Sequence, residues 1–320
     1  MKLLISRSIP ALATALLLSG CAIGDFVDMG QSDRYQTDFH YSWDLAPDGR
    51  VNLEAFNGSI EISGWDENKV DVAGTKYASS EQLRDSIKIE THNDSSSVEV
   101  RAIRPSIGHG GMGARMVVRV PRKARLDRVT TSNASVRVHD VENGGRIKTS
   151  NGSIRAENIA GDVDAHTSNS SIDLDSVRGN AVMHTSNGRI QAENISGQCE
   201  AETSNSSIKI RLQNAPLTPV RLKTSNGSIE LTLEKAPRSD VHAETRNSSI
   251  TLHLPASTTA VLSAETSNSA ITSEFDVHTE TRGESRKNHL DGVIGSGSGG
   301  PHIDLSSSNG HIRILKGSGV

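Results

Sequence analysis

Aromatic residues are scarce in this chain of 320 residues. It has two Trp, three Tyr and four Phe, and only Phe275 lies beyond Tyr77. A compact globular core normally depends on buried aromatic side chains for much of its apolar area. The scarcity therefore excludes an ordinary aromatic-rich core for residues 78–274, which must bury aliphatic side chains in another arrangement or stay unfolded.

Cysteine and long apolar runs are scarce as well, and the charge balance is not basic. Cys21 and Cys199 are the two cysteines, so the chain has no disulfide framework. A formal net charge of −4 provides no basic surface, and we expect no nucleic-acid partner. The apolar run at residues 9–18 is too short to cross a bilayer. With 34% hydrophobic residues the composition resembles that of disordered chains, but the order of the residues argues otherwise.

The N-terminus has the pattern of an export signal. Lys2 and Arg7 flank the start of the chain, and the apolar run ends in the tetrapeptide Leu-Ser-Gly-Cys at 18–21. A short apolar segment followed by small residues is typical of a secretory signal peptide. The tetrapeptide resembles the bacterial lipobox, whose cysteine becomes the lipid-modified first residue. We therefore expect residues 1–20 to be a lipoprotein signal peptide and Cys21 to carry a lipid that contains palmitate.

The residue after Cys21 bears on location. In the lipoproteins that this pattern resembles, an aspartate directly after the cysteine favours the inner membrane, whereas this chain has Ala22. The resemblance implies a lipid-anchored protein of the cell envelope, at the outer membrane of a Gram-negative host and facing either the periplasm or the outside. Residues 21–45 are interpreted as a tether whose second half is a candidate first strand or cap.

A motif close to Thr-Ser-Asn-Gly-Ser-Ile recurs along the chain, and such internal repeats indicate a stacked architecture. Its asparagines are spaced by 18 residues four times, by 21 residues three times and finally by 41, which is about two units. An earlier copy contains Asn57. Asparagine tolerates left-handed backbone, and identical amides in register form hydrogen-bonded ladders. We interpret the repeated asparagines as a structural turn ladder rather than as ligands: Asn133, Asn151, Asn169, Asn187, Asn205, Asn226, Asn247, Asn268 and Asn309.

Each repeat unit has the pattern of two short strands. In residues 154–169, small aliphatic residues alternate with charged ones in two segments, which residues 158–162 divide. Period-two alternation predicts strands with one buried face. One unit cannot bury that face alone, whereas stacked units at a strand spacing of about 4.8 Å bury a continuous column. Cys199 has the same inward offset as Val163 and Ala181, so we expect a buried thiol.

The sequence therefore predicts an all-β, single-domain parallel β-solenoid of about ten units of 18–21 residues. The solenoid is assigned to residues 46–320, with its regular repeats at about 126–275. Residues 79–86 are the one candidate helix. An antiparallel meander is the alternative architecture, because Asn-Gly turns also close hairpins.

Three stretches carry a resemblance to a known family. They are residues 57–65, which begin Asn-Gly-Ser-Ile, residues 117–126, Val-Val-Arg-Val-Pro-Arg-Lys-Ala-Arg-Leu, and residues 308–314, Ser-Asn-Gly-His-Ile-Arg-Ile. Over residues 50–315 the chain resembles the bacterial putative-adhesin, toastrack-like family of β-solenoid domains of unknown function. The resemblance implies a solenoid at the cell envelope, sometimes with an adhesin label or a link to envelope stress, and it implies no catalytic or ligand-binding residue. A longer Gly-rich loop at 292–300 departs from the family pattern.

Alignment of the units places Glu157, Asp175 and Glu193 in one outward column, one strand spacing apart. Like charges at that distance repel each other, unless they share a divalent cation, so this column is a possible weak cation site. A carboxyl separation of about 5 Å also matches the pair of a retaining glycosidase. A solvated acidic face is the third interpretation. Short turns and the lack of aromatic sugar platforms favour it over catalysis.

A second outward column contains Lys148, His166, His184 and Glu202. Stacked histidines could contribute to a zinc site, but a structural zinc ion takes four ligands. We therefore assign no metal site with certainty, no catalytic residue and no cofactor.

Together these features predict a non-enzymatic cell-envelope lipoprotein that offers an extended, adhesin-like β-solenoid surface to an envelope protein or polysaccharide. Its other expected partner is the membrane, through the lipid at Cys21. An envelope-stress or signalling accessory protein is the alternative function, and a polysaccharide-acting β-helix enzyme is a further one.

Overall fold

The computed structural model describes residues 34–106, 111–278, 287–295 and 299–317. Within these ranges it contains 27 strands and one short helix. The strands form two sheets, one of 13 strands and one of 14.

The elements follow one another along the chain as short strands separated by turns. In chain order they are β1 (Tyr35–Asp44), β2 (Arg50–Glu54), β3 (Ile60–Trp65), β4 (Lys69–Ala78), α1 (Glu81–Ser86), β5 (Lys88–Asn93), β6 (Ser97–Ile103), β7 (Met112–Pro121), β8 (Arg125–Thr130), β9 (Val136–His139), β10 (Gly145–Lys148), β11 (Ile154–Ile159), β12 (Val163–His166), β13 (Ile172–Val177), β14 (Ala181–His184), β15 (Ile190–Ile195), β16 (Cys199–Glu202), β17 (Ile208–Leu212), β18 (Val220–Lys223), β19 (Ile229–Leu233), β20 (Val241–Thr245), β21 (Ile250–Pro255), β22 (Ala260–Thr266), β23 (Ile271–Ser273), β24 (Val277–His278), β25 (His289–Ile294), β26 (His302–Ser307) and β27 (Ile312–Gly317).

The two sheets are built from stacked rungs. The first sheet has the spatial order β1-β4-β7-β3-β9-β11-β13-β15-β17-β19-β21-β27-β23, and the second has the order β24-β25-β22-β26-β20-β18-β16-β14-β12-β10-β8-β2-β6-β5. We call one strand of the second sheet and the next strand of the first sheet a rung, as in β10 and β11. The described residues contain eleven rungs. The predicted all-β parallel solenoid is confirmed.

Alternation of small aliphatic and polar residues explains the stacking. Ile154, Ile172 and Ile190 occupy the same position in successive rungs, pair in parallel register and are fully buried. Arg155 and Asp173, one residue further along, point outward in the same register. A slip of one residue would exchange the two faces of every strand, so the pattern fixes the register.

Antiparallel pairing is confined, among the described residues, to the two ends of the solenoid. At one end it joins β1 to β4, β4 to β7 and β5 to β6, and at the other it joins β25 to β22 and to β24. The antiparallel meander, which was the alternative architecture, is therefore wrong for the repeats.

Aromatic side chains close the N-terminal end. The ring of Phe39 lies over Gly74, where a Cβ would come within 2.2 Å of Cζ of the ring. The rings of Tyr41 and Trp43 stack with their centroids 5.4 Å apart. A large ring that covers a cross-strand glycine restores the packing that the glycine lacks. Phe39, Tyr41 and Trp43 thus belong to the N-terminal cap rather than to the repeats.

The cap includes part of the segment that the sequence assigned to a tether. β1 (Tyr35–Asp44) lies within residues 21–45 and pairs with β4 over ten residues. The strand agrees with the interpretation of the second half of this segment as a first strand or cap, and it moves the start of the sheet from residue 46 to Tyr35. The signal peptide at 1–20 and Cys21 lie outside the described residues.

The short helix lies where the sequence predicts it. α1 (Glu81–Ser86) falls within residues 79–86, and its N-cap Ser80 accepts a hydrogen bond from the backbone N–H of Leu83 at 3.3 Å. No helix of the described residues is long and apolar enough to cross a membrane.

The C-terminal rung does not occupy the last place in the stack. β26 lies between β20 and β22, and β27 lies between β21 and β23. The 41-residue spacing predicts that Asn309 follows Asn268 by about two units. This order is wrong, because the side chain of Asn309 lies between those of Asn247 and Asn268.

We predict that Cys199 reacts slowly with thiol reagents in the native protein. Its side chain is fully buried, and burial raises the pKa of the thiol to about 12, with a smaller contribution from the negative charge of Glu200. Because the thiolate is the reactive species, labelling at pH 8 is expected to be on the order of 1000-fold slower in buffer than in guanidinium chloride. The measurement uses the Cys21→Ala chain, in which Cys199 is the one remaining thiol.

A matched control moves the thiol to the surface. Glu202→Cys, combined with Cys199→Ala in the same chain, places a cysteine on an exposed position of the same strand, β16. Equal native labelling rates for the two chains would contradict the burial of Cys199.

Candidate functional site

The repeated motif forms the turn from a second-sheet strand to the first-sheet strand of the same rung. At this turn the Nδ2 of each motif asparagine donates a hydrogen bond to the Oδ1 of the asparagine in the neighbouring rung. In Asn187 the donated bond, to Asn169, and the accepted bond, from Asn205, both measure 2.7 Å. The members of this asparagine ladder are, in spatial order, Asn57, Asn133, Asn151, Asn169, Asn187, Asn205, Asn226, Asn247, Asn309 and Asn268.

The first and last members of the ladder have different partners. At the N-terminal end, Nδ2 of Asn57 donates to the carbonyl of Met112 at 3.0 Å, so the first amide is satisfied by the cap. At the other end Asn268 donates to Asn309 at 2.7 Å. The structure therefore brings together all nine asparagines of the predicted turn ladder and adds the earlier copy at Asn57.

A buried hydroxyl ladder runs beside the amides. The residue two before each ladder asparagine is buried; it is a threonine except at Ser307, before Asn309, and Ala55, before Asn57. Oγ1 of Thr167 donates to the carbonyl of Gly152 in the preceding rung at 2.9 Å. Oγ1 of Thr185 in turn accepts a hydrogen bond from the backbone N–H of Gly188 at 3.1 Å. The bonding role of these threonines was missed in the sequence. A buried hydroxyl at an otherwise aliphatic position was the available signal, because a buried polar group requires a partner.

A second turn column, at the opposite edge, was missed entirely. Asp140, Asn158, Ser176 and Asn194 have positive φ values of 61°, 54°, 57° and 58°. Nδ2 of Asn158 also donates to Oδ1 of Asp140 at 2.6 Å. Asn and Asp adopt this left-handed conformation more readily than other residues that carry a Cβ. Their recurrence every 18 residues was the signal that could have found the column.

The acidic row lies where the sequence predicts it, but its carboxylates do not converge. Glu157 pairs in register with Asp175, and Asp175 with Glu193. Oε1 of Glu157 is 2.5 Å from Nε of Arg155, and Oδ1 of Asp175 accepts hydrogen bonds from Oγ of Ser176 at 3.0 Å and from Nδ2 of Asn194, one rung along, at 3.2 Å. The described residues hold no group of three or more His, Cys, Asp or Glu side chains placed to bind a metal ion.

The two histidines of the second outward column stack on each other. The rings of His166 and His184 lie 4.9 Å apart at an angle of 19°. Their nitrogens face different carboxylates: Nε2 of His166 is 2.5 Å from Asp164, and Nδ1 of His184 is 3.4 Å from Glu202. This geometry places the two rings against separate carboxylates rather than around a common point.

The comparison with family models decides what this solenoid is. The Toastrack DUF4097 model matches residues 50–315, which is well over half of the chain. The chain belongs to the Toastrack DUF4097 family. Its Toastrack domain contains the asparagine ladder from Asn57 to Asn309 and the acidic row.

Two crystal structures are similar to the Toastrack domain. One is described as a "putative cell adhesion protein" from Clostridium sporogenes ATCC 15579; it is 12% identical, with coverage of 88% of this chain and 100% of that chain and a TM-score of 0.22. The other is a "putative adhesin (BF0245)" from Bacteroides fragilis NCTC 9343; it is 11% identical, with coverage of 88% and 97% and a TM-score of 0.26. Likenesses of this size do not transfer a function. No curated protein matches the chain.

We predict that Asn187→Ala destabilises the Toastrack domain more than Asn268→Ala does. Asn187 makes two ladder hydrogen bonds, whereas Asn268, the last member of the ladder, makes one among the described residues. At about 1 kcal/mol for each neutral hydrogen bond, the expected losses are about 2 and about 1 kcal/mol. The measurement is the urea dependence of far-UV circular dichroism.

The acidic row supplies the matched control for this measurement. Asp175→Asn removes one of three aligned negative charges and keeps an oxygen acceptor for Asn194, so the free energy of unfolding should stay equal or rise by a few tenths of a kcal/mol. Equal losses for Asn187→Ala and Asn268→Ala would contradict the prediction, because the second ladder hydrogen bond of Asn187 would then add nothing to stability.

Proposed function

We propose that this Toastrack protein is a non-enzymatic, adhesin-like lipoprotein of the bacterial cell envelope. Its solenoid offers a long rigid face to an envelope protein or polysaccharide, and the lipid at Cys21 holds it at the outer membrane. The observation that carries the proposal is the face of the first sheet, whose outward side chains repeat in register from rung to rung.

The first-sheet face has a regular pattern of charge. Along one outward column, Arg155, Asp173, Gln191, Lys209 and Glu230 follow one another in parallel register. Nζ of Lys209 is 3.0 Å from the carboxylate of Glu230. The sign of the charge thus alternates from Arg155 to Glu230, with the neutral Gln191 between Asp173 and Lys209 and a strand spacing of about 4.8 Å between neighbours.

Such a face suits an extended partner. A shallow groove runs between this column and the acidic row, with Arg155, Asp173 and Arg189 on one side and Glu157 and Glu193 on the other. Polar groups that repeat at a fixed spacing match a polymer or an extended chain better than a small molecule. The ladders hold these side chains on a rigid frame, and a preorganised surface loses little conformational entropy on binding.

The test of the binding face uses the Cys21→Ala chain, so that the lipid does not contribute. We expect this chain to sediment with peptidoglycan sacculi or with outer-membrane vesicles. Replacing Arg155, Asp173, Lys209 and Glu230 by alanine should reduce the bound fraction at least tenfold, because the charge pattern of the first-sheet face is lost. Hydrolysis products of the same polysaccharides are measured in parallel.

The control for this test neutralises the other face. Alanine at Arg146, Glu200 and Arg221, which point outward from the second sheet, should leave binding unchanged. Equal binding by both variants, or release of soluble sugar by the wild-type chain and not by Asp175→Asn, would refute the proposed function.

We further predict that Cys21→Ala abolishes metabolic labelling with palmitate and releases the protein from the membrane fraction. The reason is that Cys21, next to the lipobox-like Leu-Ser-Gly, is the acyl acceptor. Cys199→Ala is the matched control and should keep both the label and the membrane association, because this second cysteine is buried in the solenoid. Palmitate label that persists in Cys21→Ala would disprove the anchor.

A further inference from the structure

The C-terminal rung fills a slot between two rungs that follow one another in the chain. β26 pairs with β20 on one side and with β22 on the other, and β27 pairs with β21 and β23. Ile294 lies opposite Ala260 on one side of β22, and His302 lies opposite Val261 on its other side. β22 therefore lies between β25 and β26.

Register alone does not explain why the slot exists. Ile312 pairs with Ile250 on one side and with Ile271 on the other, so the two rungs that bound the slot share a register. Asn268 follows Asn247 by 21 residues, which is also the spacing from Asn226 to Asn247. By spacing and register, the rung of β22 and β23 could dock directly on the rung of β20 and β21.

The residue after each ladder asparagine distinguishes the observed arrangement, with the C-terminal rung inserted, from direct docking of the rung of β22 and β23 on the rung of β20 and β21. Along the stack, glycine alternates without exception with a residue that carries a Cβ: Gly58, Ala134, Gly152, Ser170, Gly188, Ser206, Gly227, Ser248, Gly310 and Ser269. Along the chain the alternation fails, because Ser269 is the next such residue after Ser248. Insertion of the turn that contains Gly310 restores it.

A close backbone approach is the physical reason for the alternation. A Cβ on Gly310 would lie 1.7 Å from the carbonyl oxygen of Ser248, and a Cβ on Gly188 or Gly227 would lie 1.6 Å from the corresponding oxygen of the preceding rung. If the rung of β22 and β23 docked directly on β20 and β21, the Cβ of Ser269 would take the place that is forbidden at Gly310. The two rungs that bound the slot therefore cannot stack directly on each other.

We propose that this alternation determines which rungs can stack on each other. It places the C-terminal rung between the rung of β20 and β21 and the rung of β22 and β23. The turn with Gly310 fits between the two Cβ-bearing turns at Ser248 and Ser269, and these two turns cannot stack on each other. The slot is thus specific for an Asn-Gly turn, which the last residues of the same chain supply.

Packing and hydrogen bonds agree with this assignment. The inserted rung buries four large aliphatic side chains, Ile303, Leu305, Ile312 and Ile314. The backbone N–H of His302 donates to Oδ1 of Asp240 at 2.9 Å, and Oγ of Ser307 donates to the carbonyl of Ser248 at 3.1 Å. The slot therefore offers acceptors to the inserted rung at both of its turns.

Two disulfide reporters distinguish the inserted arrangement from the closed arrangement, in which the rung of β22 and β23 docks directly on the rung of β20 and β21. Both use the full chain with Cys21→Ala and Cys199→Ala. The inserted reporter, Thr251→Cys with Arg313→Cys, joins adjacent strands at a Cα separation of about 5 Å, within disulfide range. The closed reporter, Thr251→Cys with Thr272→Cys, spans two strand spacings of about 4.8 Å and cannot form while the rung is inserted.

The expected results follow from the alternation. In the otherwise unchanged chain the inserted reporter closes on oxidation and the closed reporter does not. Gly310→Ala should slow closure of the inserted reporter at least tenfold, whereas Gly299→Ala, at a position where a Cβ meets no atom within 4 Å, should not slow it. Ser269→Gly combined with Gly310→Ala should make the closed reporter form, because Ser269→Gly removes the Cβ that keeps the slot open.

Three results would overturn the proposal. One is equal closure of the inserted reporter in Gly310→Ala and Gly299→Ala. Another is a closed reporter that stays reduced in the Ser269→Gly, Gly310→Ala chain while its far-UV circular dichroism remains native. The third is an inserted reporter that appears only as a cross-linked dimer on non-reducing gels, because the rung would then come from a second copy.

Discussion

A rung of this solenoid has a buried face only while another rung lies against it in register. Its strands are four to six residues long through most of the repeats, and their inner side chains are mainly Ile, Leu, Val and Ala. None of these short strands encloses a core by itself. Stability in such a stack comes from the contacts between neighbours, so every rung depends on the correct identity and register of the next one.

Apolar packing alone discriminates only weakly between a correct and an incorrect neighbouring rung. The inner residues are small aliphatics of similar shape, and volume-conserving exchanges among them cost little. The polar positions at the turns supply the missing specificity. The asparagine amides and the threonine hydroxyls each require a partner at a fixed position in the adjacent rung. The glycines allow a close approach to the backbone of the preceding rung that a Cβ would prevent.

Much of the fold and part of the candidate site could be predicted from the sequence. Repeat spacing and alternation gave the parallel solenoid, the line of asparagines from Asn133 onward and the inward position of Cys199, because these follow from local period and from stacking. The place of Asn309 could not be read from spacing, since a spacing of 41 gives the number of units but not their order in space. The alternation of Gly and Ser after the asparagines does contain that order, provided that it is followed along the stack.

The candidate site shows the same division between what is local and what is not. The acidic row Glu157, Asp175 and Glu193 was predictable as a row, because unit alignment fixes which residues are neighbours. The partners of these carboxylates were not predictable from the alignment. Arg155 contacts Glu157 from the same strand, whereas Asn194 contacts Asp175 from the next rung. Side-chain reach of a few ångströms thus decides whether aligned carboxylates form ion pairs or converge on a cation.

The single direction of the asparagine ladder gives the solenoid an electrical polarity. Every amide from Asn133 to Asn268 donates toward the end of the stack that contains Asn57, and the hydroxyl of Thr167 donates in the same sense. Amide dipoles that point the same way add, as the peptide dipoles of an α-helix do. The end at Asn57 therefore carries the positive pole of this row, and the end at Asn268 the negative pole. The two ends of an otherwise repetitive molecule are for that reason not equivalent to a charged partner.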